Sequence, residues 1–129
     1  MAPERELPES EVAKNCFSLL RWGIEQISDP EYQARVWLGD PPDEKSSYLD
    51  ASAEILDQEQ RNKLIGDHLA EIGLNEQQWA RVMQFARTLE AFENSVDHPY
   101  DSAEVIRHPN WGSIVSQARA VLADLPNPD

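Results

Sequence analysis

Hydrophobic residues recur three or four positions apart along nearly the whole chain, and no stretch alternates strictly between apolar and polar residues. The first pattern is typical of amphipathic α-helices, whereas the second would indicate half-buried β-strands. The spacing therefore predicts an all-α fold. The strongest pattern covers residues 74–96, whose apolar positions fill about half of the helix circumference; they are Trp79, Val82, Met83, Phe85, Ala86, Leu89, Phe92 and Val96.

A stripe this wide has to contact more than one neighbouring helix, so residues 74–96 are predicted to form the central helix of the domain. The start of this helix is well marked. Asn75 is a favourable N-cap, and Gln78 stands three residues later, where its side chain can complete a capping box. Gly73, just before the cap, is predicted to end the preceding helix in the left-handed conformation, which gives a tight helical hairpin.

Start and stop signals divide the rest of the chain into further helices. Gly23, on the apolar side of the first helix, is a position where another helix can approach closely. The predicted helices begin at Ser10, at Asp29-Pro30 (ending at Gly39), at Ser47, at Asp57, at Asn75, at Asp101 or Ser102, and at Trp111. Asp57 opens either a new helix or a kinked continuation of the helix before it. We expect one compact domain over residues 1–129, an orthogonal bundle of about six helices, with loose tails at residues 1–9 and 126–129.

Charge is the bulk property that most changes this picture. The chain has 24 acidic residues against 11 lysines and arginines, a net charge of −13. This balance disfavours binding to nucleic acid or to anionic membranes, both of which attract basic proteins. It favours a basic protein partner, since opposite fields speed encounter. The alternative is that the acidity serves only solubility.

Composition also indicates the cellular compartment. No apolar run approaches the roughly 20 residues that a membrane-spanning helix needs, and the N-terminus lacks the apolar stretch of a secretory signal. A single cysteine cannot form an internal disulfide, so nothing indicates an oxidising compartment. We expect a soluble cytoplasmic protein, and the oligomeric state stays open.

Catalytic and metal-binding motifs are missing from the sequence. Cys16 lies on the apolar stripe of the first helix, where a buried thiol is inert. The three histidines form no close pair, and His98 and His108 are expected to satisfy backbone groups at helix breaks. We therefore expect no enzyme activity, cofactor or metal. The alternative is an enzyme that holds a cation at a carboxylate cluster.

Acidic residues concentrate in two segments. Residues 40–59 contain seven acids and one base, and residues 90–104 contain five acids and no base. If the two segments are adjacent in the fold, they form one negative face with Tyr48 or Tyr100 as an aromatic anchor; otherwise they are two separate solvated patches. The candidate partner-binding residues are Asp40, Asp43, Glu44, Tyr48, Asp50, Glu54, Asp57, Glu93, Asp97, Tyr100 and Asp101.

The positions of the four tryptophans predict which of them are buried. Trp79 and Trp111 lie on apolar stripes and are expected in the core. Trp22 lies off the main stripe of its helix, and Trp37 precedes the proline-rich segment. One of these two is expected to be partly exposed, which is typical of interface hot spots.

Two segments resemble a known group of proteins. Val36-Trp37-Leu38-Gly39, Ser46-Ser47-Tyr48-Leu49-Asp50-Ala51 and Ile55-Leu56-Asp57 resemble a W-L…S-S-[FY]-x-[DE]-A…L-x-D pattern, and His108-Pro109-Asn110-Trp111 with Val115 and Ala118 resembles an H-P-x-W…V…A segment. Both are associated with small acidic helical immunity proteins of bacterial polymorphic and contact-dependent growth-inhibition toxin systems. The resemblance covers about a third of the chain, and Gln58 stands where a second aspartate is expected.

The functional hypothesis from the sequence is a non-catalytic binding protein. The resemblance implies an immunity protein that neutralises a basic bacterial toxin domain by occlusion. The alternative is an adaptor or regulatory helical module of a cytoplasmic complex, which predicts an exposed apolar groove instead of an acidic face.

Overall fold

The computed structural model describes residues 7–39 and 47–126. In these residues the chain is helical, with no strand, so the all-α prediction is confirmed. Eight α-helices are present there, not about six, together with one π-helical turn. They are α1 (Glu9–Ile27), α2 (Pro30–Tyr32), the π-helical turn (Gln33–Trp37), α3 (Tyr48–Leu56), α4 (Glu59–Asp67), α5 (Leu69–Ile72), α6 (Glu76–Ser95), α7 (Ser102–Arg107) and α8 (Trp111–Asp124).

The central element is α1, and the prediction that α6 is central was wrong. α1 packs against α2, α3, α4, α5 and α8, whereas α6 packs chiefly against α8 and α3. The side of α1 that faces these neighbours is fully buried at Ala13, Leu20, Ile24 and Ile27. The broad stripe of α6 is only partly covered because its half-buried members border an open groove instead of another helix.

Gly23 lets α3 lie directly against α1, as its position in the sequence predicts. A Cβ atom at Gly23 would stand 2.6 Å from the carbonyl oxygen of Ala51 and 3.2 Å from a side-chain carbon of Ile55. Real Cβ atoms essentially never come this close to a backbone oxygen, so any larger residue would push the two helices apart.

The predicted ends of α6 and of the helix before it are confirmed. Asn75 Oδ1 accepts from the Gln78 backbone N–H at 2.7 Å, and Gln78 Oε1 accepts from the Asn75 N–H at 2.8 Å, which completes the capping box. Gly73 adopts φ 96°, and the Leu74 N–H reaches back to the Leu69 carbonyl, as in a Schellman cap.

Other predicted boundaries differ from the structure. α1 begins at Glu9 after Pro8, with no side-chain cap from Ser10. The helix predicted to start at Asp57 is two helices, α4 and α5, interrupted at His68. Pro126 does not belong to a loose tail, because its carbonyl accepts a 2.7 Å hydrogen bond from Arg21.

Candidate partner-binding face

The π-helical turn after α2 places two side chains that support the site. The Leu38 N–H donates to the Gln33 carbonyl at 3.1 Å, a span of five residues, which makes this turn wider than an α-helical turn. The buried Gln33 amide donates to the carbonyls of Gln26 and Ile27, both at 2.8 Å. Its Oε1 accepts from the indole N–H of Trp111 at 3.1 Å. Gln33 therefore fixes the turn to both α1 and α8.

Four aromatic rings form one cluster beneath this turn. Ring centroids are 6.1 Å apart for Trp37 and Tyr48, 6.0 Å for Trp37 and Trp111, and 5.7 Å for Tyr48 and Trp111. Phe92 of α6 completes the cluster, 5.5 Å from Trp111. Tilted and edge-to-face pairs at these distances are favourable for aromatic rings. The cluster ties the turn, α3, α6 and α8 together and provides a rigid base for the surface above it.

The first turns of α3 and α7 meet beside the cluster. The Tyr48 backbone N–H, one of the amides that an α-helix leaves unpaired at its start, donates to Ser102 Oγ at 3.1 Å. Asp101 caps α7 by accepting from the Ala103 N–H at 3.0 Å. This contact brings together, at Tyr48 and Ser102, the described parts of the two acidic segments, residues 47–59 and 90–104.

A solvent-open depression of about 570 Å³ lies at this meeting point. The chain before and after residues 40–46 borders the depression at Leu38 and Ser47. The depression and the adjoining first turn of α3 and residues 97–101 are here called the junction face; its residues are Leu38, Ser47, Leu49, Asp50, Asp97, Tyr100 and Asp101.

The junction face combines exposed apolar side chains with unpaired acids. Tyr100 is 67% exposed and Leu38 49% exposed, and Leu49 is also exposed. They make up half of the large exposed hydrophobic side chains in the described part of the chain. Asp50, Asp97 and Asp101 have no ion pair within residues 7–39 and 47–126. The junction face therefore combines one aromatic and two aliphatic exposed side chains with three carboxylates that lack an ion pair among the described residues.

Tyr48 is not an exposed anchor, so this part of the sequence prediction was wrong. The side chain is fully buried among the rings of Trp37, Trp111 and Phe92. Its hydroxyl and the buried Oε1 of Glu93 make no hydrogen bond of good geometry among the described residues, although the side chains of Glu93 and Ser52 lie close to the hydroxyl. Burial, and after it the nearby Glu93 carboxylate, raises the pKa of Tyr48 well above its ordinary value.

Three other predicted residues contribute less than the sequence indicated. Glu54 is neutralised by Arg61, whose two terminal nitrogens both lie 3.1 Å from one carboxylate oxygen. Asp57 caps the opposite end of α3, about 13 Å from the junction at 1.5 Å per helical residue. Glu93 is half-buried behind the face. Asp40, Asp43 and Glu44 lie in residues 40–46, outside the described residues.

Gln33, Ser102 and Leu38 are the site residues that the sequence analysis missed. Gln33 lies in the polar stretch of a short helix, and no apolar periodicity marks it as buried. The sequence pattern marks Ser102 only as a possible cap of its own helix, although its hydroxyl caps α3. A proline-rich segment directly after Trp37-Leu38 is the one signal that could have marked Leu38 as a surface residue.

The tryptophans and histidines divide between core and surface. Trp111 and Trp37 are buried, Trp79 is half-buried, and Trp22 is the exposed member of the predicted pair at 40%. His108 Nδ1 accepts from the Asn110 N–H at 3.1 Å, as expected at a helix break. His98 instead faces a carboxylate, with 3.3 Å between its Nδ1 and Glu104 Oε1.

No group of three or more His, Cys, Asp and Glu side chains that could hold a metal ion is present in the described part of the chain. Within the same residues, no helix is both long and apolar enough to cross a membrane. The sequence matches no protein-family model, and neither the curated proteins nor the solved structures gave a match.

Proposed function

We propose that this protein is a non-catalytic binding module that recognises a basic protein through the junction face. The observation that carries the proposal is the meeting of α3 and α7, which gathers Leu38, Tyr100 and Asp101 around one depression. Asp50, bonded to Ser47 at its edge, and Asp97, four residues before Asp101, add two exposed carboxylates in the adjoining turns. We further propose that the partner is a bacterial toxin domain and that this chain is its immunity protein, acting in the cytoplasm. The resemblance of residues 36–57 and 108–118 to such proteins supports this assignment.

Neutralisation would follow from occlusion. The net charge of −13 attracts a basic domain over long range and raises the rate of encounter. On contact, Asp50, Asp97 and Asp101 pair with lysines or arginines, and the exposed Tyr100 ring enters an apolar recess of the partner. A basic surface that needs to reach nucleic acid or another anionic substrate is then covered. No group on this chain has to take part in a reaction.

The test is growth of bacteria that express the reading frame next to this chain's gene, which the proposal expects to encode a toxin domain; a neighbouring product that does not inhibit growth would contradict the proposal. Wild-type protein should restore growth, and the double variant Asp97→Lys/Tyr100→Ala should not. Both side chains are exposed and make no ion pair, so the variant should keep its fold. With purified proteins, the two substitutions should weaken binding by about 100-fold, as expected for a charge reversal and the loss of one aromatic hot spot.

Glu11→Lys is the matched control, because it makes the same change of charge on an exposed residue in the first turn of α1, away from the junction face. This variant should protect as well as the wild-type protein. Equal loss of protection by both variants would show that protection depends on net charge and not on the junction face. Full protection by the double variant, with an unchanged melting temperature, would remove the junction face from the mechanism.

A further inference from the structure

A second surface, separate from the junction face, lies between α4 and α6 and has the form of a groove that accepts a helix. α4 is held by α1, and α6 by α8 and α3, but the backbones of α4 and α6 stay apart over almost their whole length. Two adjoining cavities, about 500 and 360 Å³, lie between them and share Asn62 and Met83. We define the groove between α4 and α6 by these two cavities.

The floor of the groove is apolar and only half-covered. Trp79, Met83, Ala86, Leu56 and Leu69 are partly buried side chains that pack against the core from this side. The indole N–H of Trp79 has no acceptor among the described residues and stands 3.2 Å from the position of a Cβ atom on Gly66. Since Gly66 has no side chain, the edge of the tryptophan ring stays accessible from the groove.

Acidic residues from both helices line each end of the groove. Asp67 of α4 and Glu76 of α6 line one cavity, and Glu59 of α4 and Glu90 of α6 line the other. None of these four carboxylates has an ion pair within the described residues. Like charges close together are unfavourable unless a cation lies between them.

Two cations also line the groove, without cancelling its negative charge. Lys63 lies on α4 and Arg87 on α6, and neither forms an ion pair in the described part of the chain, although Arg87 donates to the amide oxygen of Gln84 at 3.1 Å. The groove therefore keeps a net negative charge.

We propose that the groove between α4 and α6 binds an amphipathic helix of a partner protein, with basic residues at both ends and an apolar stripe between them. The acids are eight residues apart on α4 and fourteen on α6, or about 12 and 21 Å at 1.5 Å per residue. A partner helix of three to four turns spans this distance. Two antiparallel helices with an apolar floor between them are a common acceptor for a third helix. This proposal does not depend on the junction face.

The experiment uses the full chain and synthetic peptides of about 14 residues, with leucines at helical spacing between two basic ends. A fluorescein-labelled peptide is titrated and its anisotropy followed. Binding should saturate, and a peptide with glutamates in place of the end lysines should bind at least about tenfold more weakly. A scrambled peptide that lacks the apolar stripe should not bind.

Two variants locate the binding. Asp67→Lys/Glu90→Lys changes one exposed carboxylate at each end and should weaken binding of the basic peptide about tenfold or more. Asp97→Lys, on the junction face, should leave it unchanged. Trp79→Phe should remove the change in intrinsic fluorescence that binding of an unlabelled peptide causes.

Three results would overturn the proposal. They are absence of saturable binding, equal binding of the scrambled peptide, and a sedimentation experiment in which the free protein is a dimer that Asp67→Lys/Glu90→Lys dissociates. The last result would show that a second copy of this chain occupies the groove. Since the growth test depends on Asp97 and Tyr100, failure here would not affect the proposed function.

Discussion

Tyr48 combines full burial with an unpaired hydroxyl. Its ring contributes to the aromatic cluster, but its oxygen makes no hydrogen bond of good geometry among the described residues, although the side chains of Glu93 and Ser52 lie nearby. A buried polar atom without a partner costs about 1–3 kcal/mol relative to its state in water. The ring therefore stabilises this position, and the hydroxyl does not.

Tyr48→Phe should accordingly leave the unfolding free energy at pH 8 unchanged or raise it by about 1 kcal/mol. The variant should also lose less stability at alkaline pH. An unfolded tyrosine releases its proton near pH 10, whereas burial raises the pKa of the folded Tyr48 above its ordinary value of 10.0. Ionisation of Tyr48 then favours the unfolded chain. The contribution of this residue to stability is therefore complete below pH 10 and is lost progressively as the pH rises above 10.

Urea unfolding at pH 8 and pH 11 measures both effects. Between these pH values the wild-type protein should lose about 1.4 kcal/mol more than the variant, the value of one pH unit above the unfolded pKa. A parallel loss in the two proteins would mean that Tyr48 is solvated in the folded state.

At the scale of single residues, the sequence predicted polar positions well only where a local rule applied. Asn75 and Gln78 follow a capping rule that depends on neighbours in the chain, and the structure confirms it. The burial of Tyr48 and Gln33 depends on rings contributed by distant helices, Trp111 among them. No local rule contains that information.

At the scale of helices, α1 and α3 lie directly against each other at Gly23. Gly23→Ala should destabilise the protein by about 1–3 kcal/mol, because the added Cβ meets the backbone oxygen of Ala51 and the helices have to separate. Thermal unfolding followed by circular dichroism measures the effect.

Gly112→Ala is the matched control. Gly112 lies in the first turn of α8, and a Cβ atom there would have no neighbour within 4 Å. This variant should be stabilised by about 0.5–1 kcal/mol, the ordinary gain of alanine over glycine in a helix. Equal effects of the two substitutions would contradict the close packing of α1 on α3.

The positions of the helices were largely predictable from the sequence, but which helix is central was not. The stripes of α1 and α6 are both clear in the sequence, and α6 has the wider one. Width alone does not distinguish a stripe that is fully covered by other helices from one that borders a groove. Trp79 and Met83 follow the same spacing as the buried Phe85 and Leu89, yet they line the cavity between α4 and α6.

At the scale of the whole molecule, a charge of −13 on 129 residues works against the folded state. Folding brings the carboxylates closer together, and their mutual repulsion is screened by salt within about 8–10 Å at physiological ionic strength. Added salt should therefore stabilise this protein, although it would weaken binding to a basic partner.

The unfolding free energy should rise by about 1 kcal/mol between 0.02 and 0.5 M NaCl. Urea is the suitable denaturant, because guanidinium chloride is itself a salt. Potassium chloride at equal ionic strength should act alike and serves as the control for specific sodium binding. Stability that is constant or decreasing with salt would indicate that the acids are paired more completely than the structure shows.

The π-helical turn at residues 33–37 also affects how homologues of this protein can diverge. A turn that closes over five residues holds one residue more than an α-helical turn, so a single-codon insertion is enough to create it. Deleting the exposed Arg35 would restore regular α-helix and rotate Trp37 and Leu38 by about 100° about the helix axis. Trp37 would leave its place between Tyr48 and Trp111, and Leu38 would point elsewhere. A homologue that lacks this one residue would keep its helices but present a different surface, so specificity could diverge there while the bundle stays the same.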